Sequence, residues 1–276
     1  MWELKSWVDA SKLDSFYLSY NPNAIDYLSI NEVLIDWIAL SQNESAIELL
    51  LTNPDKIHWH ELSCNPSAGY ILTKNIYQIS WQNISKNPAT IDMLLHYNKH
   101  THQYCNIYNF NQNPHPKAIQ YLIDNPDKII WESMSNNENS IKVFEKYGYS
   151  KADWLALSKN PDFIDVLLQN KHVIYWPFFS INPHPKAIEY LRRNPRLIDW
   201  TFLSMNPSAE ELLLENIDKI VWTTLSRNPA IFTFNFYKCA TVKRTQLYKE
   251  ELFQVVYHPD RIKKYISQGY SLYEIF

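Results

Sequence analysis

Apolar and polar positions alternate along this chain on a beat of about 22 residues. Between Asn43 and Asn65, Ala46, Ile47, Leu49 and Leu50 form one apolar cluster, and Ile57, Trp59 and Leu62 form a second, with polar residues between. Each cluster has helical spacing and is preceded by an Asn, with Ile47 four residues after Asn43 and Ile57 four after Asn53. The pattern predicts two short antiparallel helices per unit, of about nine or ten residues each, too short to persist alone in water. Their stability must come from stacking on neighbouring units.

Aligned Asn residues at 21, 43, 65, 87, 113, 137, 160, 182, 206 and 228 mark ten units, and Trp stands six residues earlier at 37, 59, 81, 131, 154, 176, 200 and 222. Asn is a good helix N-cap, Pro fits the first helical position, and Pro also pushes its predecessor out of the helical region. Each Asn-Pro is therefore expected to start one helix and stop the one before. A leucine-rich strand reading fails, because the position five before the Asn holds His60, Gln82 and Glu132 among others, where alternation needs apolar residues.

The resulting expectation is an all-α fold: an α-solenoid of about ten two-helix repeats of 22–26 residues, curved and elongated, with N- and C-terminal caps. Residues 1–20 would form the N-terminal cap, 21–239 the repeat array and 240–276 a helical C-terminal cap. The pairs His115-Pro116 and His184-Pro185 are read as two-residue insertions before a first helix, and a longer loop lies between Leu95 and Cys105.

The motif Asn-Pro-x-Ala-Ile-x-Leu-Leu followed by Asn-Pro-x-x-Ile-x-Trp-x-x-Leu-Ser, with the tail His258-Pro259-Asp260-Arg261, resembles the Asn-Pro repeat proteins of giant nucleocytoplasmic large DNA viruses. The resemblance implies a viral protein of the host cytoplasm or the virion, and it carries over no catalytic residue. Tyr147-Gly148, where Asn-Pro is missing, and Cys105 and Ile107, where Ile and Trp are missing, depart from the pattern.

Composition narrows the function classes. With 26 basic and 29 acidic residues, the formal charge of -3 gives no general field for nucleic acid or anionic membranes. No apolar run approaches the roughly 20 residues that span a bilayer, and no signal-peptide core is present. The three cysteines are scattered, which suits a reducing compartment. Glycines at 69, 148 and 269 cannot build a phosphate-cradling loop, and no nucleophile elbow occurs, so no enzyme and no cofactor are expected.

Three features carry candidate chemistry. His96, His100, His102 and Cys105 have zinc-ligand chemistry, although a solvated loop with Cys105 at a core position is the simpler account. The residue after the first-helix Ile is acidic in six units, as Asp26, Glu48, Asp92, Asp165, Glu189 and Glu211, a candidate edge for a basic partner or a solvated face kept charged for solubility. The Trp column is expected as a packed ladder and not a base-stacking groove. The expected function is a non-enzymatic scaffold for protein-protein interaction, with an unknown host or viral partner and unknown oligomeric state. A structural virion or assembly component is one alternative. A nucleic-acid-associated protein using the basic C-terminal end, from Lys238 and Lys243 to Lys264, is another.

Overall fold

The computed structural model describes residues 1–101 and 105–238, with the backbone alone for 97–101. The chain divides into a large unit, Leu4–Thr233, and a smaller one that joins Met1–Glu3 to the chain from Phe234 onward. The large unit is an all-α repeat array. Each repeat has a leading helix after the aligned Asn and a trailing helix before the next one. In the unit from Asn43, these are Ile47–Thr52 and Trp59–Leu62, separated by a 3-10 turn, Pro54–Lys56, and an extended Ile57.

The aligned Asn turns the chain at the start of all ten units; it is the N-cap itself at Asn21, Asn87, Asn160 and Asn228, where a 3-10 turn follows directly, whereas elsewhere the leading helix opens only after Ala46, Ala68, His115, Ser140, His184 or Ala209. Its Oδ1 accepts the N–H two residues on, as from Ser45 to Asn43 and from Ser67 to Asn65. The Asn at mid-repeat behaves differently, and here the expectation of two Asn-started helices is corrected. Asn53, Asn75, Asn125 and Asn194 turn their Nδ2 back onto the carbonyl four residues earlier and so close the leading helix. None of them caps the turn that follows. The trailing helix opens only at Trp, so it is four to six residues long and not nine or ten. Its cap is the residue before the Trp position, with a side-chain bond at Asp14, Asp36, Ser80, Asn106, Asp153 and Asp199. The two His-Pro insertions lengthen the leading helix to nine residues, Pro116–Asp124 and Pro185–Arg193, capped by the Nδ1 of His115 and His184.

Three apolar columns form the core. The residue three before the aligned Asn, such as Leu40, Leu62 or Leu203, is fully covered, as are the small residue three after it (Ala24, Ala46, Ala68) and the Leu seven after it (Leu28, Leu50, Leu72). Small residues let the start of one leading helix approach the next. At Gly69 the approach is closest: a Cβ there would stand 2.9 Å from Ala89 Cβ and 3.2 Å from its carbonyl oxygen. Gly148, at φ 80°, takes the place of the mid-repeat Asn and ends the helix Ile141–Tyr147 in the left-handed region.

Two hydrogen-bond ladders tie the repeats together. The Nδ2 of each aligned Asn donates to two carbonyls of the preceding repeat: Asn65 to Ser41 O at 3.0 Å and Asn43 O at 2.8 Å, Asn87 to Ser63 O at 3.1 Å and Asn65 O at 2.8 Å. The Ser two residues before the Asn donates to the Trp carbonyl four residues back and accepts the backbone N–H of the next repeat. Ser41 Oγ thus bonds Trp37 O at 2.8 Å and receives His58 N–H at 3.0 Å. Asn111 replaces the Ser once and receives Ile130 N–H through its Oδ1. The first ladder slips only at Asn160, which reaches Asn137 O and Glu138 O, next to the unit interrupted by Gly148.

Both ladders return to their start. Asn21 Nδ2 donates to Ser226 O at 3.0 Å and Asn228 O at 2.9 Å, and Asp14 N–H donates to Ser226 Oγ at 2.8 Å, the same bonds that join every other pair. The open, elongated array with two exposed ends is therefore corrected for this unit: its first repeat is stacked on its tenth, and the array is a ring. Nine leading and ten trailing helices occur among the described residues, because the tenth repeat is composite. After Asn228 and the turn Pro229–Ile231 the chain leaves, and residues from Lys5 to the trailing helix Ser15–Ser19 complete the circuit. Lys5 N–H donates to Ile231 O at 2.9 Å, Asn23 Nδ2 to Pro229 O at 3.0 Å, and the Lys5 ammonium and Trp7 Nε1 both bond the Glu210 carboxylate. Residues 1–20, expected as a cap, thus end in a helix that packs within the ring; residues 240–276 lie outside the described residues.

In the smaller unit Trp2 packs edge-on against Phe234, and Glu3 pairs with Lys238 and accepts from Asn235 Nδ2. Trp2–Leu4 (β1) and Phe232–Phe234 (β2) form a two-stranded sheet.

Candidate functional site

In a closed double layer the inner helices must stand closer than the outer ones. Successive trailing helices, such as Trp37–Gln42 and Trp59–Leu62, or Trp176–Ser180 and Trp200–Ser204, approach closely despite their shortness, whereas successive leading segments meet at their starts, as Gly69–Lys74 meets Pro88–Thr90. The trailing helices therefore line the inside. With about 8–10 Å between neighbouring axes, ten of them describe a circle of roughly 13–16 Å radius. Side chains take up about 5–6 Å of that radius, leaving a passage roughly 15–20 Å wide.

The wall of this passage is built from residues one, four and five positions before the aligned Asn. Those at minus four brace the wall: Asn83 Nδ2 donates to His60 O, Asn109 Nδ2 to Gln82 O and Thr224 Oγ1 to Thr201 O, each in the preceding repeat. Those at minus one run around it without entering either ladder. Lys159 shows their environment. Its side chain is exposed, yet burial pushes its pKa below the ordinary lysine value, with Asp153 acting weakly in the opposite sense. Protein surrounds it on several sides without covering it.

The wall has two chemically distinct arcs. Across repeats two to five it is polar. Partial burial of Glu61 would raise its pKa, but hydrogen bonds from His60 and Gln42 outweigh this and hold the carboxyl below the usual range. Burial pushes the Cys64 thiol up, so this cysteine is no activated nucleophile. Burial, followed by the Glu61 charge, raises Tyr20. Across repeats six to nine the wall is apolar between two cations. Phe178 and Phe202 meet edge to face at 5.3 Å, Ile181 and Met205 lie beside them, and Lys159 and Arg227 close a concavity of about 440 Å³. Lys159 Nζ stands 5.8 Å from the Phe178 ring and donates to Asn136 Oδ1 at 3.1 Å, while the Arg227 guanidinium lies 4.8 Å from the Tyr20 ring. Among the described residues neither cation has a carboxylate at ion-pair distance.

The acidic positions chosen from sequence fall on leading helices, in the outer layer. Asp92 pairs with Lys117 and Asp165 with Lys186, both cations supplied by the next repeat's His-Pro-Lys insertion. Glu189 pairs with Arg193, and Glu211 with Arg192. Glu48 is exposed, and Asp26 is half-buried. The outer edge is thus a series of ion pairs around Glu48 in place of an unbroken negative ridge. His96 is exposed and Cys105 half-buried, the side chain of His100 and all of His102 lie outside the described residues, and no group of three potential ligands occurs among the described ones. Of the basic C-terminal candidates only Lys238 is described, and it is paired with Glu3.

The Trp column is half-buried, a correction to the fully packed ladder. Each ring opens a trailing helix at the junction of the two layers, where one face packs inward. Trp176 stacks on Tyr190 at 5.7 Å, and Trp131 lies 5.6 Å from Phe144. Lysines cover other faces: Lys12 over Trp222, Lys219 over Trp200 and Lys151 over Trp131. Base stacking would have to displace them. The inner wall is not marked by any periodic residue, because its minus-one position holds eight residue types in ten units; that variability beside the regular Ser and Asn was the available signal.

Among the described residues no helix is long and apolar enough to cross a membrane. No family model, curated protein or solved structure matches the chain.

Proposed function

We propose that this protein is a non-enzymatic repeat scaffold for protein-protein interaction, with the inner wall of its ring as the recognition surface. The observation that carries this reading is the division of labour along each repeat. Asn and Ser are consumed by the two ladders, whereas the neighbouring minus-one side chains, Tyr20, Cys64, Lys86, Lys159, Met205 and Arg227 among them, differ from unit to unit and join neither. A surface whose framework repeats while its contacts vary suits a specific protein partner. The resemblance to giant-virus repeat proteins is what supports reading it as a protein of the host cytoplasm or the virion. The test is affinity purification from cells expressing the full chain, paired with a Thr201→Lys, Gln82→Lys variant altered only on the wall. Discrete proteins retained by the native chain and lost by the variant are expected. Retention of virion components alone would favour an assembly role, and equal retention by both forms would remove the wall from the account.

A further inference from the structure

We propose that the apolar arc at repeats six to nine binds an extended acidic peptide, one that sets an apolar side chain between two carboxylate-bearing ends. The inference rests on the scaffold reading and names the partner chemistry of the same wall. Three observations combine. First, the concavity has a floor of Phe178, Phe202, Ile181 and Met205, and its volume of about 440 Å³ lies within the range that encloses a ligand side chain and its flanks. Second, a cation stands at each end, and neither has a carboxylate partner among the described residues. Lys159 is held only by an amide oxygen and an aromatic face, Arg227 by an aromatic face. Third, the neighbouring part of the wall sets its cation, Lys86, beside Glu61 and also carries Glu132, so the cations open to a negative ligand are those of this arc.

The separation of the cations selects a peptide over a compact anion. Lys159 and Arg227 belong to the sixth and ninth repeats, three steps of about 8–10 Å along a curved wall, so their helices stand roughly 20 Å or more apart while their side chains reach over the same concavity. A single carboxylate meets one of them. An extended chain rising about 3.3 Å per residue meets both with about seven residues. A passage roughly 15–20 Å wide admits one such strand but not a folded domain. Partial desolvation of Lys159 adds to the gain on pairing, because an incoming carboxylate replaces water that the protein already keeps at a distance.

The experiment is fluorescence anisotropy with the full chain and two labelled heptapeptides, Glu-Glu-Phe-Ile-Phe-Glu-Glu and Lys-Lys-Phe-Ile-Phe-Lys-Lys. The acidic peptide is expected to bind, and the basic one at least tenfold more weakly. Lys159→Glu is expected to weaken the acidic peptide at least tenfold and Arg227→Gln at least threefold. Because Arg227 also packs on Tyr20 where the ninth and tenth repeats meet, Lys159→Glu carries the decision. If that reversal disturbs the helical circular dichroism, Lys159→Gln is read instead, with at least a threefold loss. Equal binding of the two peptides, no binding of the acidic one, or indifference to Lys159 overturns the proposal. Charge reversal of Glu48, Asp165 and Glu189 separates this failure from that of the scaffold reading. If the basic peptide binds and this outer reversal abolishes it, the arc is wrong and a protein-binding scaffold with an outer surface survives.

Discussion

Asn65 illustrates how one side chain does two jobs. Its Oδ1 caps the turn that leads into its helix by accepting the Ser67 N–H, and its Nδ2 holds the previous repeat, all in a fully buried site. Replacing it by Ala removes a cap worth about 1 kcal/mol and strips a donor from two carbonyls, each about 1–3 kcal/mol if left unsatisfied. Asn65→Ala is therefore expected to cost about 3–5 kcal/mol by chemical denaturation. Asn65→Asp keeps the cap but turns an oxygen toward two carbonyls, so it should cost at least as much; a neutral Asn65→Asp would remove the ladder from the account. At Asn53, half-buried with one such bond, Ala should cost about 1 kcal/mol. The capping role was readable from Asn-Pro alone, because a cap is local. The ladder was not: the same Asn reaches residues 22 and 24 positions away, which requires knowing the stack. The outer ion pairs carry a second prediction. The Lys117 and Lys186 ammonium groups hold the Asp92 and Asp165 carboxyls below the ordinary value of 3.8. Their folded pKa values are depressed, so any stabilisation is present above that value and lost as pH falls through the lower folded one. Carboxyl NMR titration should show both shifts, and Lys117→Met should return Asp92 to normal while leaving Asp165 unchanged.

Elements in this protein are short because side chains fix the ends at which many of them stop or start. Leading helices stop where Asn53 or its equivalents fold back, and trailing helices start where Asp36 or Asp199 caps the Trp turn. The Asp and Ser before Trp were visible in the sequence and would have placed the second helix correctly, but the doubled Asn-x-x-x-Ile spacing suggested a symmetry that backbone geometry does not honour. Asn53 adopts φ -130° and ψ 61°, which is no N-cap conformation. Packing between elements makes Gly69 a test. In an exposed helix Gly→Ala gains up to about 1 kcal/mol. Here the new methyl meets the Ala89 backbone, so Gly69→Ala is expected to destabilise by about 1–2 kcal/mol, with partial recovery in the Gly69→Ala, Ala89→Gly double variant. Equal thermal midpoints for native and Gly69→Ala protein would show that the two repeats part without cost.

At the scale of the whole ring, closure changes what an end means. In an open array the first aligned Asn would face solvent and its loss would cost little. Asn21 instead makes the full set of bonds to the tenth repeat. Asn21→Ala is therefore expected to cost as much as Asn65→Ala, and amide exchange in the first and tenth repeats should be as slow as in the fifth. Fast exchange confined to those two repeats would mean an open seam. Nothing periodic announced this closure, since Lys5, Trp7 and Glu210 meet only in space, more than 200 positions apart in sequence. Closure also makes the number of units a matter of arithmetic. Ten repeats complete a turn at about 36° each, so one repeat more or fewer would have to be absorbed by every remaining interface or by breaking the circuit. An open array can lengthen or shorten by single duplications; this one is quantised. Deleting residues 43–64 should abolish the ring and not merely shrink it, and descendants of such a protein are free to change the lining of the wall far more easily than its circumference.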